Sequence, residues 1–184
     1  MHATNELMLE HQGIELMLEI LEAVTNRMDS GEAVPTWHLD GILEFLTIFV
    51  DKCHHGKEEE FLFPAMETAG VLRTGGPIGV LLQEHEQGRK LVGRIKKLLT
   101  EHDPAGHPGM KEAQATVGEY VQLMIQHIAK ENTVVFPMAD KMLDAGTAAT
   151  LCENFEKLER ERIGAGKHEE FHALLDTLQD VYLK

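Results

Sequence analysis

The chain has 184 residues, with 17 basic and 31 acidic side chains and a formal net charge of −14. That length suits one domain able to bury a core without disulfide staples, and the charge argues against nucleic acid or an anionic membrane as partner, since both repel an acidic surface. Two distant cysteines, a polar N-terminus and no apolar run near the roughly 20 residues a bilayer needs lead us to expect a cytoplasmic protein suited to a metal cation or a small neutral ligand.

From Thr4, read as an N-cap, the positions Leu7, His11, Ile14, Leu18, Leu21, Thr25 and Met28 recur in steps of three and four. That is the buried seam of an amphipathic helix, ended by Gly31 and Pro35. A second helix is expected from Thr36 through Leu39, Leu43, Thr47, Val50, His54, Glu58 and Phe61 to the Gly70 region, with Pro64 predicting a kink or local unwinding. Gly75-Gly76-Pro77 marks a turn and the start of a third helix, whose stripe is Ile78, Leu81, His85, Gly88, Val92, Ile95 and Leu99. Residues 103–108 read as a connection. A fourth helix then carries Ala113, Val117, Tyr120, Met124, His127, Glu131, Val134 and Met138, with a second kink at Pro137.

Short Gly/Pro connections make consecutive helices neighbours, so the expected fold is all-α, an antiparallel up-down four-helix bundle over residues 1–145. Residues 146–184 add a helix over 147–163, a break at Gly164-Ala165-Gly166 and a last helix over 167–182. Their stripes, Leu151, Phe155 and Leu158, then Phe171, Leu174, Leu175 and Leu178, predict an extension packed on the outside of the bundle or on a partner subunit, which would make a dimer.

One segment returns in a pared-down copy. Cys53-His54-His55-Gly56-Lys57-Glu58 runs on to Phe63-Pro64, and His127-Ile128-Ala129-Lys130-Glu131 runs on to Phe136-Pro137. Each copy reads His-x-x-x-Glu, which puts an imidazole and a carboxylate one helical turn apart on one face. With His11 and His85, every bundle helix has a seam histidine. They fall early, late, early and late along helices that alternate in direction, which brings them to one level. Any one of them alone is more simply a satisfied core imidazole. Two carboxylates in an apolar seam are another matter, because burying them costs several kcal/mol unless cations compensate. The set therefore points to a dimetal site built from His11, His54, Glu58, His85, His127 and Glu131.

These residues resemble the hemerythrin-like, or HHE cation-binding, family over roughly residues 5–143, in the order His11, His54-x-x-x-Glu58, His85, His127-x-x-x-Glu131 with Lys-Glu-Glu and Phe-Pro flanks. The resemblance implies a non-haem di-iron centre with the two glutamates bridging the irons, the histidines as terminal ligands and an oxo or hydroxo bridge; manganese or zinc could substitute. Where oxygen-carrying hemerythrins have a second histidine four residues along the third helix, this chain has Arg89, so the broader group is the better match. One ligand is then missing from the usual five histidines. His55, beside His54, is the first candidate; His168, four residues before His172 in the tail, is the second if the tail folds over the bundle end. Glu59, Glu60 and Glu86 read as surface charges. His2, His38, His102 and His107 fall in termini or loops and take no role.

Such a centre would bind or sense O2, NO or reactive oxygen species. Alternatives are an enzyme turning over peroxide or NO at the same irons, and iron storage or delivery of the iron-sulfur repair kind. Nothing in the sequence supplies an evident pocket for an organic substrate.

Overall fold

The protein is described by a computed structural model covering residues 3–100, 108–164 and 166–184. Six helices make up these residues, and no strand occurs among them. Helix α1 is Ala3–Asp29. Helix α2 spans residues 36–68, an α-helical start (Thr36–Glu44) leading into π-helical stretches Phe45–His55 and Glu58–Leu62 and a last α-helical turn, Phe63–Thr68. Helix α3 is Pro77–Thr100. Helix α4 spans residues 108–142, with Pro108–Lys130 and Phe136–Met142 on either side of a π-helical Glu131–Val135. Helix α5 spans residues 145–163 and α6 is Lys167–Tyr182. Both α1 and α2 stop on a glycine with positive φ, Gly31 (79°) and Gly70 (99°). Each is followed by the paired backbone bonds of a Schellman ending, Glu32 N–H to Arg27 and Val71 N–H to Met66.

Of the kink or local unwinding expected at the prolines, the helices show the unwinding, in the turn before each proline. Helix α2 runs past Pro64 and α4 past Pro137; what changes is the turn before each. Proline has no N–H and crowds the carbonyl four residues back. The backbone widens so that the last N–H before the proline reaches five residues back: Phe63 to the carbonyl of Glu58, and Phe136 to the carbonyl of Glu131. Each motif glutamate therefore opens a π turn that its Phe-Pro pair closes, a device that recurs at functional sites. The widened turn also moves the seam. Val134 is 49% exposed where the stripe placed it in the core, and Val135 and Phe136 are buried instead.

Helices α1, α2, α3 and α4 pack in a ring, each against two neighbours. Their inward side chains form three layers. One apolar cluster contains Ile14, Val50, Leu91 and Met124, the other Leu7, Leu62, Leu81 and Val135. On every helix the histidine or His-x-x-x-Glu motif lies between a residue of one cluster and a residue of the other. The polar residues thus occupy a single slab closed above and below by hydrocarbon.

The tail packs on this chain's own ring. Leu151 and Phe155 of α5 join the second cluster, and Phe171, Leu175, Leu178 and Tyr182 of α6 join the first. Gly41 lets α6 come close, since a Cβ there would lie 3.0 Å from the Leu174 side chain. Two small expectations fail. Thr4 lies inside α1, and its hydroxyl donates to Asp140 of α4 (2.7 Å) instead of capping the helix. His38 lies inside α2, buried, with Nδ1 2.5 Å from the Tyr182 hydroxyl of α6. His2, His102 and His107, and most of the 103–108 connection, lie outside the described residues.

Candidate metal centre

His11, His54, Glu58, His85, His127 and Glu131 meet in the polar slab, each 1% exposed or less. Two imidazole pairs face each other across it. His11 Nε2 is 3.0 Å from His54 Nε2, and His85 Nε2 is 3.1 Å from His127 Nε2. Each glutamate reaches both pairs. Glu131 Oε2 is 3.2 Å from His11 Nε2 and its Oε1 is 3.1 Å from His127 Nε2; Glu58 Oε1 is 3.7 Å from His54 Nε2 and its Oε2 is 3.4 Å from His85 Nε2. A carboxylate with its two oxygens turned to opposite imidazole pairs is the arrangement a bridging ligand needs.

The donor chemistry decides whether metal ions fit. Every one of the four imidazoles uses its outer nitrogen on an oxygen acceptor. Nδ1 of His11 donates to Asn132 Oδ1 (2.8 Å), that of His54 to Glu10 (2.8 Å), that of His85 to Glu59 (2.7 Å) and that of His127 to Glu84 (3.0 Å). Fixing the proton on Nδ1 leaves Nε2 as a lone pair aimed inward. Among the described residues, the four oxygens of Glu58 and Glu131 and both nitrogens of His55 are buried with no hydrogen-bond partner. Leaving that many polar atoms unpaired would cost several kcal/mol, a cost that bound cations would remove, so this donor set fits metal ions. The donor atoms fall into two groups, His11, His54, Glu58 and Glu131, and His55, Glu58, His85 and His127, with atoms within 4.8 Å of one another in each. Metal–ligand bonds of about 2.1 Å put opposite ligands of one ion ~4.2 Å apart, so each group has the dimensions of one site.

The proton balance points the same way. Burial alone would lower the pKa of His127, but Glu131, Glu84 and Glu58 outweigh it and raise the value to about 10. Burial would likewise lower His11 and His85, and their glutamate neighbours raise both. Glu131 is driven well below the carboxylate range by His127 and His11 although burial pushes it up. These carboxylates draw positive charge onto their surroundings, as protons or as metal ions.

His55 is 3% exposed and stacks on His85 with ring centroids 3.9 Å apart. Burial and the neighbouring histidines push its pKa well down, which keeps it neutral and available as a ligand. His168 belongs to neither group. It stands with Glu10 and Glu159 on the outer side of His54, within 5.5 Å of the Phe49 ring.

The family model of the hemerythrin HHE cation binding domain matches residues 2–139. The chain belongs to that family. An uncharacterized protein of Mycobacterium tuberculosis is 27% identical over 179 residues, covering 97% of this chain and 68% of its own length. The iron-sulfur cluster repair protein YtfE of Dickeya chrysanthemi is 29% identical, and that of Salmonella paratyphi B 30% identical, each over 103 residues. These matches cover 54% of this chain and 47% of the repair proteins, so the likeness spans about half of each. No solved structure gives a significant match.

Around this hemerythrin-family centre lies a shell that reading the sequence missed. Glu10 is held by Lys57 (2.5 Å), Glu59 by Arg89 (2.6 Å) and Glu84 by Lys130, so three histidines end in a carboxylate–cation pair. Glu59 is therefore not a surface charge. Burial would raise its pKa, and His85 and Arg89 hold it down. Glu60 and Glu86 are surface residues as expected, paired with Arg162 and Arg89. Arg89, where the oxygen carriers have a histidine, braces Asp51 as well as Glu59. The pattern has an internal two-fold: exchanging α1 with α3 and α2 with α4 sends Glu10-His11 to Glu84-His85 and His54-Lys57-Glu58-Glu59 to His127-Lys130-Glu131-Asn132, and the contacts among these residues map onto one another. The Glu-His pair at 10–11 and again at 84–85 was the available signal. The symmetry breaks at His55, whose counterpart is Ile128, and at Arg89, whose counterpart is Glu15.

Proposed function

We propose that this hemerythrin-family chain is a cytoplasmic non-haem di-iron protein that binds or senses a small ligand, O2, NO or a reactive oxygen species. The ring α1–α4 is read as an antiparallel up-down four-helix bundle over residues 1–145, with residues 146–184 as an extension. The observation that carries the reading is the pair of buried glutamates whose four unpaired oxygens face two separate groups of imidazoles. His11 and His54 would hold one iron, His55, His85 and His127 the other, with Glu58 and Glu131 shared. Two irons so held supply electrons and an acceptor site for a small oxidant.

The protein's own residues do the rest. The carboxylate–cation pairs behind His54, His85 and His127 hold those rings in one tautomer and orientation. The apolar clusters on either side of the slab exclude water and anything large. Two imidazoles stand on one half and three on the other, because Ile128 occupies the place equivalent to His55; the poorer half is where an outside ligand fits. The test is the visible spectrum of the reduced, iron-loaded protein on exposure to O2 or NO. A new charge-transfer band reversed by removing the gas supports binding; loss of iron on exposure contradicts it. Peroxide or NO consumed far beyond one equivalent per chain would assign turnover instead.

The likeness to proteins named for iron-sulfur cluster repair favours a second reading, iron delivery. It predicts rapid loss of iron to a chelator and transfer to an apo iron-sulfur protein, neither of which a ligand-binding centre needs.

A further inference from the structure

Beside the three-histidine half, between α2 and α3, lies a cavity of about 150 Å³. Apolar cavities of about that size take up benzene-sized molecules. Its body is hydrocarbon, from Leu46, Val50, Val92 and the ring of Tyr120, and two glycines make the room. Gly93 has nothing within 4 Å of where a Cβ would be, and at Gly88 a Cβ would lie 3.7 Å from the Tyr120 ring. From the level of Gly88 and His55 the cavity follows α3 to Lys96, eight residues or ~12 Å along the helix.

The two ends differ chemically. At the inner end stand His55, with neither nitrogen hydrogen-bonded, and Tyr120, whose hydroxyl no described residue hydrogen-bonds; Asp51 faces them, with its Oδ1 3.7 Å from His55 Nδ1 and Arg89 bound to it at 2.6 Å. Arg89 is also taken up by Glu59 and Glu86. At the outer end the charge is that of Lys96, which no described carboxylate pairs. With Arg89 committed to Asp51, Glu59 and Glu86, Lys96 is the charge in the lining left to meet a ligand.

We infer that this cavity is a binding site for a small organic anion with an apolar body, of the size of an aromatic or short branched carboxylate, lying with its charged end on Lys96 and its apolar end toward Tyr120 and His55. The site goes beyond the di-iron reading and does not depend on it, since its walls are protein atoms.

Benzoate is the probe, titrated by calorimetry into the full chain in metal-loaded and metal-free forms. One molecule per chain should bind with a dissociation constant at or below about 1 mM, within the range open to a ligand of about nine heavy atoms. Gly93→Leu fills the cavity from an exposed helix position and raises helix propensity. It should weaken binding at least about tenfold, the cost of losing a well-packed contact surface. Gly93→Ala should bind as the unaltered chain does. Lys96→Gln should weaken benzoate about fivefold, the upper range for an exposed charge pair, and leave benzyl alcohol unchanged. No saturable benzoate binding in either form, or full affinity in Gly93→Leu, overturns the site; equal loss in Gly93→Ala and Gly93→Leu overturns the space-filling account of it. Full affinity in Lys96→Gln overturns the assignment to an anion. Benzoate binding without metal uptake would leave this site and remove the di-iron reading, and metal uptake without benzoate binding would do the reverse.

Discussion

Lys57 shows how far the centre extends beyond its ligands. Its ammonium is fully buried and sits among three carboxylates from two helices, Glu6 (2.6 Å) and Glu10 (2.5 Å) of α1 and Glu159 (2.5 Å) of α5. Burial would lower its pKa, but these neighbours raise it well above the usual lysine range. Because Glu10 also accepts from His54, Lys57 links helix α5 to a candidate ligand through two contacts. Lys57→Met should destabilise the metal-free protein by ~3–5 kcal/mol, the cost of stranding buried charge, as read by urea unfolding. It should also weaken metal uptake about tenfold or more, as loss of a ligand's support does; a change below ~1 kcal/mol would mean that Lys57 is not the counter-charge described here. Glu10 gives a pH signature. Burial would raise its pKa, yet His54 and Lys57 lower it from 4.5 to about 2. A depressed folded-state value contributes stability above pH ~4.5 that is lost as pH falls toward ~2, about 3 kcal/mol for such a shift. The metal-free protein should lose stability across that window, and Glu10→Gln should flatten the slope. An unchanged slope would contradict the assignment.

At the scale of elements, the two Phe-Pro pairs work through the backbone, by widening the turn that each motif glutamate opens. This explains why the sequence was legible up to the motif and misleading after it. Steps of three and four hold through His127 and Glu131, then fail at Val134 because a π turn takes more residues. Glu59 was opaque for another reason: its neighbours in sequence are acidic and polar, and its partners, His85 and Arg89, come from another helix. The tail was readable as amphipathic, and its stripes are the residues it buries, but a helix pattern does not say which surface receives it. Phe171 is 2% exposed and packs against Phe45 and Phe49 of α2. Phe171→Ala should cost ~3–5 kcal/mol if α6 is part of the same cooperative core, and a loss under ~1 kcal/mol would make it a loosely attached appendage.

For the whole molecule, the organising fact is a charged slab held between two hydrocarbon layers. The layers account for cohesion, and the slab opposes it unless cations are present. What composition and spacing made visible was the set of six candidate ligands and their common level; what they hid was the supporting shell, the three-to-two division of imidazoles and the cavity beside His55, each of which depends on residues from different helices. Binding available to the folded chain alone adds to folding stability. The metal-loaded protein should therefore melt higher than the metal-free one, and identical melting would be incompatible with a centre of this kind. Binding should also release protons, since His127 is held up at about 10 without a cation beside it.

The most direct test is metal content per chain, by elemental analysis of iron-reconstituted protein and of Glu58→Ala. The account predicts two irons per chain in the unaltered protein and loss of both in the variant, because a shared carboxylate serves both groups. A single iron in the unaltered chain, or two retained without Glu58, would contradict it.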